Sequence, residues 1–142
     1  MEFGSFNCRV CGGKLVPRLN ELICSNCNFI QHPLKGDNLG ISCENLKKKL
    51  DSKSDVIILD VREKWEFGMG NLKGATSIPM RDLEKNMNLL DKNKEIVAVC
   101  HHNERSSYAT RYLLQNGFKN VKYLEGGIDA WAMKIDNSIK RY

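Results

Sequence analysis

Cysteines are the residues of this 142-residue sequence whose spacing points most directly to chemistry. Four of the six lie at positions 8, 11, 24 and 27, as two C-x2-C pairs separated by 12 residues. Each pair can lie on a tight turn, and four thiolates satisfy the tetrahedral coordination that zinc prefers. The spacing therefore predicts a structural metal site formed by Cys8, Cys11, Cys24 and Cys27.

Zinc is the metal expected at these four cysteines, and iron in a rubredoxin-like site is the alternative. Two disulfides or redox-active pairs are further interpretations, but a redox C-x2-C usually accompanies a βαβ pattern. Residues 14–16 and 22–23 can form a short β-hairpin between the pairs. A segment of about 30 residues with so little apolar sequence needs a bound metal or another cross-link to fold. We therefore interpret residues 1–35 as a metal module that resembles a zinc ribbon.

A second reactive segment is the loop Cys100-His101-His102-Asn103-Glu104-Arg105-Ser106. It follows the apolar run 96–99, which predicts a buried parallel strand, and a helix is expected to begin near Ser106. Open α/β sheets place reactive groups at the carboxyl ends of such strands. Inward-facing N–H groups, the dipole of the next helix and the Arg105 charge favour a thiolate. Cys100 is therefore the candidate nucleophile, and a buried structural cysteine is the alternative.

The elements around Cys100 alternate between strands and helices. Apolar runs predict strands at residues 56–59, 96–99 and 121–124. One helix is expected after Ser42, which is a good N-cap, and another is expected from near Ser106 to a stop at Gly117. This alternation is typical of a mostly parallel sheet flanked by helices. We therefore predict an α/β domain over residues 36–142, joined to residues 1–35 by a turn-rich linker.

Composition narrows the class of protein further. The longest apolar run has five residues, so no membrane partner is expected. We expect no secretory signal, because no N-terminal basic stretch precedes a long apolar one, and the clustered cysteines favour a reducing cytoplasm. The net charge of +5 permits an anionic substrate or partner without favouring nucleic acid.

A longer series of motifs resembles the rhodanese-like sulfurtransferases. In chain order these motifs are Asp60-Val61-Arg62-Glu63, Glu66, residues 70–75, Ile78-Pro79, the Cys100–Ser106 loop, Gly117-Phe118, residues 124–127 and Trp131. The resemblance runs from about Gly40 to Ala132 and implies a rhodanese-like α/β fold. It also implies an enzyme of the thiosulfate sulfurtransferase type, in which Cys100 accepts a sulfane sulfur as a persulfide and passes it to a nucleophilic acceptor.

The resemblance implies roles for other residues as well. Arg105 would orient an anionic donor and support the loop by hydrogen bonds. Arg62 is expected to line the same pocket and, with Asp60, to brace the loop. The remaining loop residues, His101, His102, Asn103, Glu104 and Ser106, would shape the pocket. Trp65 and Trp131 are expected to be structural, and Cys43 is expected to belong to neither the metal site nor the reactive loop.

Two loop residues depart from the family pattern. Asn103 stands where the family commonly has glycine, and asparagine tolerates a positive φ better than other residues. Glu104 adds a negative charge near Cys100, which weakens the attraction for free thiosulfate and makes the persulfide of another protein a candidate donor.

The length of the loop separates two reaction classes. Related dual-specificity phosphatases have five residues between cysteine and arginine, whereas four separate Cys100 from Arg105, so we expect a pocket for sulfur. The alternative function is a non-catalytic rhodanese-like scaffold or regulatory module fused to a zinc ribbon. The retained Cys100, Arg105 and Asp60 argue against that alternative. Sulfur-carrier proteins are candidate acceptors by analogy only.

Overall fold

The computed structural model of the protein describes residues 11–18, 21–28, 30–31 and 39–142. The strands are β1 (Leu15–Arg18), β2 (Glu21–Cys24), β3 (Ile30–Gln31), β4 (Gly40–Ile41), β5 (Val56–Asp60), β6 (Thr76–Ser77), β7 (Glu95–Val99) and β8 (Asn120–Leu124). The α-helices are α1 (Cys43–Asp51), α2 (Lys64–Met69), α3 (Leu83–Asn86), α4 (Glu104–Gln115) and α5 (Gly127–Lys134). Short 3-10 turns, Met80–Asp82 and Met87–Leu89, flank α3. The predicted metal ligand Cys8 lies outside the described residues.

The larger sheet has five strands in the order β4-β8-β7-β5-β6, and each neighbouring pair is parallel. The three strands predicted from apolar runs are its central ones, β5, β7 and β8, which are covered by helices on both faces. Because parallel strands are buried on both sides, their sequences are apolar without alternation. The predicted α/β architecture is confirmed.

Two hydrophobic clusters lie on opposite faces of this sheet, since neighbouring residues of a strand point to opposite sides. Ile96 and Ala98 of β7 pack into the cluster on the α4 side. Val97 and Val99 pack into the other cluster, together with Trp131 of α5. Strand β7 is thus fixed from both sides, which holds the residue that follows it in a defined position.

The helix signals in the sequence are borne out with one shift in a boundary. The Ser42 side chain accepts a hydrogen bond from the Asn45 N–H and caps α1, as predicted. Helix α4 begins at Glu104, two residues before the predicted start near Ser106, and Asn103 is its N-cap residue. It ends before Gly117, whose φ of +91° is the left-handed conformation that stops a helix.

The N-terminal strands form a separate antiparallel sheet in the order β1-β2-β3. Leu15 pairs with Cys24 across the predicted hairpin, which is confirmed. Both residues are buried, and they belong to the same hydrophobic cluster as Tyr108 and Tyr112 of α4. The cysteine-bearing hairpin is therefore packed directly on the helix that follows the Cys100 loop.

Within the described ranges, no helix combines the length and the apolar character needed to cross a bilayer.

Candidate functional site

Cys100 lies at the carboxyl edge of the parallel sheet, directly after β7. Asp60, the last residue of β5, pairs with Val99 in the register of the neighbouring strands. A pocket of about 200 Å³ opens at this edge. Its walls are formed by Cys100, His101, His102, Glu104 and Arg105. The predicted loop residues are thus brought together around one cavity.

Helix α5 holds the loop from behind. The N–H of Ile128 donates to the Cys100 carbonyl at 2.9 Å, and the N–H of Asp129 donates to the His101 carbonyl at 3.2 Å. Because these carbonyls are bound from outside the loop, the loop's own N–H groups are free to face inward. The N–H groups of His102 and Ser106 accordingly act on the Cys100 sulfur and lower its pKa, against the effect of burial. The result is a cradle of backbone donors around Sγ.

The close approach of α5 to the loop requires a glycine. Gly127 has a φ of +62°, and a Cβ there would lie 2.4 to 2.5 Å from the carbonyl oxygens of Cys100, His101 and His102. Any larger residue would push on three backbone carbonyls at once. The shape of the cradle therefore depends on Gly127.

Asn103 acts differently from the sequence expectation. Its φ is −128°, so it does not use the left-handed conformation that the loop was expected to need. Its side-chain Oδ1 instead accepts a hydrogen bond of 2.8 Å from the Gly126 N–H. Asn103 thus ties the loop to the start of α5 through its amide group, which is a bond that glycine cannot make.

Cys100 is more completely buried than its position in a polar loop suggested. Only 1% of the residue is exposed, and its Sγ lies 3.2 Å from the Ser106 hydroxyl. Burial raises the pKa of the Cys100 thiol, against the lowering effects of Ser106, the Arg105 charge and the His102 N–H. The prediction of a favoured thiolate is therefore reversed in direction, because desolvation outweighs the nearby donors.

Arg105 forms an ion pair that the sequence analysis did not foresee. Its Nη1 and Nη2 atoms donate to Oε2 and Oε1 of Glu66 at 2.7 and 3.0 Å. Burial raises the pKa of Glu66, but hydrogen bonds from Arg105, the Glu63 N–H and Tyr142 together lower it to about 2. Glu66 therefore stays ionised at neutral pH and neutralises much of the Arg105 charge.

Arg62 lies behind the pocket rather than in its wall, which corrects the expectation that it lines the cavity. The side chain is completely buried, and its Nε and Nη2 atoms bind Asp60 at 2.9 and 2.7 Å. It also donates to the backbone carbonyls of Glu66 and Gly70. Arg62 and Asp60 thus brace α2, and through Glu66 they support Arg105.

The two histidines form one side of the pocket. Their ring centroids are 4.3 Å apart, and the Tyr142 ring lies 4.1 Å from that of His101. Burial, followed by the neighbouring His102, lowers the pKa of His101. His102 is exposed and lies 3.6 Å from a carboxylate oxygen of Asp129. Together these rings place an aromatic face beside the sulfur cradle.

A family model described as a rhodanese-like domain matches residues 42–134. This chain belongs to the rhodanese-like family. A sulfurtransferase of Allochromatium vinosum is 35% identical over 92 residues, which cover 65% of this chain and 86% of that protein. A Bacillus subtilis protein named as a candidate sulfur carrier, YrkF, is 38% identical over 68% of this chain. The matched part spans 52% of YrkF, about half its length.

Solved structures give the same family. The crystal structure of SSP1007 from Staphylococcus saprophyticus is similar with a TM-score of 0.63 and 34% identity. It covers 68% of this chain and 95% of its own. These similarities support a sulfurtransferase-type role for the rhodanese-like chain.

A second group of cysteines lies at the N-terminal hairpin of this rhodanese-like protein. The sulfur atoms of Cys11, Cys24 and Cys27 lie within 4.8 Å of one another, and those of Cys11 and Cys24 are 3.4 Å apart. Backbone N–H groups of Gly13 and Asn26 point at these sulfurs. Convergent thiols with N–H···S contacts are a donor set that suits zinc or iron.

The surroundings of this cysteine cluster favour the negatively charged thiolate form. A hydrogen bond from the Asn26 side chain, followed by one from the Gly13 N–H, lowers the pKa of Cys11 to about 6. Metal binding needs thiolates, so this environment fits a cation. The described members of the predicted four-cysteine set thus fit the metal expected from their spacing.

Sequence reasoning missed the role of two site residues. Glu66 appeared only as part of a family motif, and Tyr142 gave no signal at all. Trp65, which was expected to be structural, is 63% exposed and its ring meets that of Tyr142 edge-on. Trp131 is buried, as expected, and so is Cys43 in the first turn of α1.

Proposed function

We propose that this protein is a sulfurtransferase that moves a sulfane sulfur through a persulfide on Cys100. The observation that carries the proposal is the position of Cys100 in the wall of a polar pocket, with its sulfur 3.2 Å from the Ser106 hydroxyl and beside the loop N–H groups of His102 and Ser106, which lower its pKa. Oriented donors of this kind stabilise negative charge where it develops during a reaction. A persulfide formed on Cys100 would place its outer, anionic sulfur in the polar pocket beyond Sγ.

Sulfur acceptance is a displacement at sulfur. The Cys100 thiolate attacks the outer sulfur of a donor R–S–S⁻, a new S–S bond forms, and the donor's S–S bond breaks. The electron pair of that bond leaves with R–S⁻, which takes up the proton that Cys100 lost. With thiosulfate as the donor, the leaving group is sulfite.

Sulfur delivery restores the enzyme. A nucleophilic acceptor attacks the outer sulfur of the Cys100 persulfide, and the S–S bond to Cys100 breaks with its electrons returning to Sγ. The nearby Ser106 hydroxyl and the loop N–H groups then hold the released thiolate. Each step exchanges one S–S bond for another bond to sulfur, so no outside oxidant or reductant is needed.

The charged groups around the pocket affect which class of sulfur donor it can bind. Glu66 offsets the Arg105 cation, and Glu104 adds a carboxylate to the pocket wall. A small dianion such as thiosulfate therefore meets little net positive charge, which favours a persulfide carried by another protein. We propose such a persulfide as the donor in a reducing cytoplasm, and a sulfur-carrier protein as an acceptor. The name of the relative YrkF supports the second part.

We also propose that the cysteine cluster holds a structural zinc ion, with Cys8 as the fourth ligand beside Cys11, Cys24 and Cys27. Four thiolates fill the coordination sphere and leave no open position, so we expect no catalysis at this site.

The test is a comparison of Cys100→Ser with the parent protein. After treatment with thiosulfate or a low-molecular-weight persulfide, the parent should gain the mass of one sulfur atom and deliver it to cyanide as thiocyanate. Cys100→Ser should do neither. Cys43→Ser removes another buried cysteine, far from the loop in sequence, and should behave as the parent. A parent that accepts no sulfur from any donor would favour the non-catalytic scaffold.

A further inference from the structure

Tyr142 is joined to the pocket through a continuous set of polar contacts. Its hydroxyl donates to Oε1 of Glu66 at 2.9 Å and accepts from Nη1 of Arg62 at 2.9 Å. A phenol has one proton to donate, so this pair of contacts uses the hydroxyl fully. Burial raises the pKa of Tyr142 to about 12, and the group therefore stays a donor at neutral pH.

Glu66 divides its hydrogen-bonding capacity between several donors. Oε2 accepts from Arg105 Nη1 at 2.7 Å and from the Glu63 N–H at 2.9 Å. Oε1 accepts from Arg105 Nη2 at 3.0 Å and from Tyr142 at 2.9 Å. The Tyr142 hydroxyl and Arg105 thus share one carboxylate oxygen, and the hydroxyl proton offsets part of the negative charge that this oxygen presents to Arg105. How strongly Glu66 neutralises Arg105 therefore depends on the Tyr142 hydroxyl.

We propose that Tyr142 is a specificity-determining positioning residue, whose hydroxyl offsets part of the Glu66 charge and thereby leaves Arg105 part of its attraction for anionic donors. The inference rests on the proposed sulfur transfer at Cys100, and it names what sets the charge preference of that pocket. Tyr142 acts through Glu66 and not by touching the reacting sulfur. Its ring, tilted by 48° against that of His101, adds an aromatic boundary to the same side of the pocket.

The hydroxyl can be removed without releasing the segment that carries it. Arg141 binds both carboxylate oxygens of Asp129 at 2.7 and 3.2 Å, and Ile139 packs against the hydrophobic cluster on the α5 side. Tyr142→Phe therefore keeps the ring and its contacts. It removes only the two hydrogen bonds of the hydroxyl, so its effect reports on Glu66 and Arg105.

The experiment compares two alkylating reagents of similar size that differ in charge. Iodoacetate is an anion and iodoacetamide is neutral, and mass mapping gives the rate at Cys100 for each. In Tyr142→Phe, Glu66 loses the hydroxyl donor and neutralises Arg105 more completely, so the iodoacetate rate should fall about five-fold relative to the iodoacetamide rate, the effect of one hydrogen bond of about 1 kcal/mol. In turnover with thiosulfate, KM should rise by a similar factor while kcat is unchanged.

Tyr112→Phe is the matched control. The Tyr112 hydroxyl is buried and has no hydrogen-bond partner among the described residues, so its removal should leave the ratio of the two rates as in the parent. An unchanged ratio in Tyr142→Phe, or an equal fall of both rates, would overturn the inference. The alkylation ratio needs no sulfur transfer. Failure of the parent to accept sulfur would therefore count against the proposed function and not against the role of Tyr142.

Discussion

Gly127 packs so closely on Cys100 that a Cβ at position 127 would lie 2.5 Å from the Cys100 carbonyl oxygen. Gly127→Ala should therefore displace the loop, lower the rate of sulfur acceptance at least ten-fold and reduce the free energy of unfolding. Mass spectrometry after donor treatment and denaturant unfolding measure the two effects. The loss arises because three loop carbonyls must move away from α5, which turns the N–H groups out of the cradle.

Gly74→Ala separates this clash from backbone strain. Gly74 also has a positive φ, +82°, but no heavy atom lies within 4 Å of a Cβ built there. Gly74→Ala should lower the free energy of unfolding only by the cost of the left-handed conformation, about 1–2 kcal/mol. It should leave the rate of sulfur acceptance unchanged. Equal effects of the two substitutions on that rate would contradict a specific role for Gly127.

The ion pair between Glu66 and Arg105 should be a major source of stability. Glu66 is 4% exposed, and Glu66→Gln leaves the Arg105 charge half-buried without its partner. We expect a loss of about 3 kcal/mol in the free energy of unfolding at pH 7, measured by denaturant titration. Asp51→Asn, which breaks an exposed pair with Lys47, should change it by less than about 1 kcal/mol.

The same pair predicts a dependence on acid. The pKa of Glu66 is about 2 in the folded protein, below its ordinary value. Its contribution is therefore complete above the ordinary pKa of about 4.3 and is lost as the pH falls from there toward 2. The difference in stability between the parent and Glu66→Gln should shrink over that interval. A difference that stays constant down to pH 2 would show that the carboxylate charge is not its source.

The reactivity of Cys100 should rise with pH beyond the range of an ordinary thiol. Because burial raises the pKa of Cys100, its alkylation by iodoacetamide should keep increasing above about pH 8.5, the ordinary value for cysteine. Ser106→Ala removes a hydroxyl that lowers this pKa, so its profile should move to still higher pH. Ser107→Ala, which loses only a hydroxyl bonded to the Glu104 carbonyl, should follow the parent. A midpoint below pH 8 in the parent would contradict the prediction.

The hairpin should contain one zinc ion per chain and lose it when a ligand is changed. Cys24→Ser should abolish zinc in elemental analysis, and the unfolding temperature should fall, because Cys24 is fully buried against the α4 side of the core. A chelator should lower the unfolding temperature of the parent toward that of Cys24→Ser. Cys43→Ser should retain zinc. Iron in place of zinc would give a coloured protein, and two disulfides would abolish the free thiols of the cluster.

Local sequence signals predicted the parts of the fold that depend on neighbouring residues. The apolar runs identified β5, β7 and β8, and Ser42 identified the start of α1, because burial and capping leave a pattern within a few positions. The approach of Cys100, Arg105 and the loop residues to one pocket followed from a strand end and a helix start in succession. Predicting these features requires no information about contacts between residues that are distant in the sequence.

The partners of the charged groups could not be predicted in the same way. Glu66 meets Arg105, and Tyr142 meets both Glu66 and Arg62, only after the chain has folded, and nothing in their sequence neighbourhoods marks these pairs. Asn103 was assigned a backbone role because glycine is common there, whereas its side chain makes the contact. The raised pKa of Cys100 depends on how completely packing excludes water, which residue types alone do not specify.

The binding of the Cys100 loop by α5 links its reactivity to the order of synthesis. The N–H groups that hold the carbonyls of Cys100 and His101 belong to Ile128 and Asp129, which a ribosome adds after the loop. On a nascent chain that has not reached α5, Cys100 lacks the cradle that would stabilise an anionic sulfur. The cradle is therefore complete only in the folded domain, where its donors offset part of the burial that raises the pKa of Cys100.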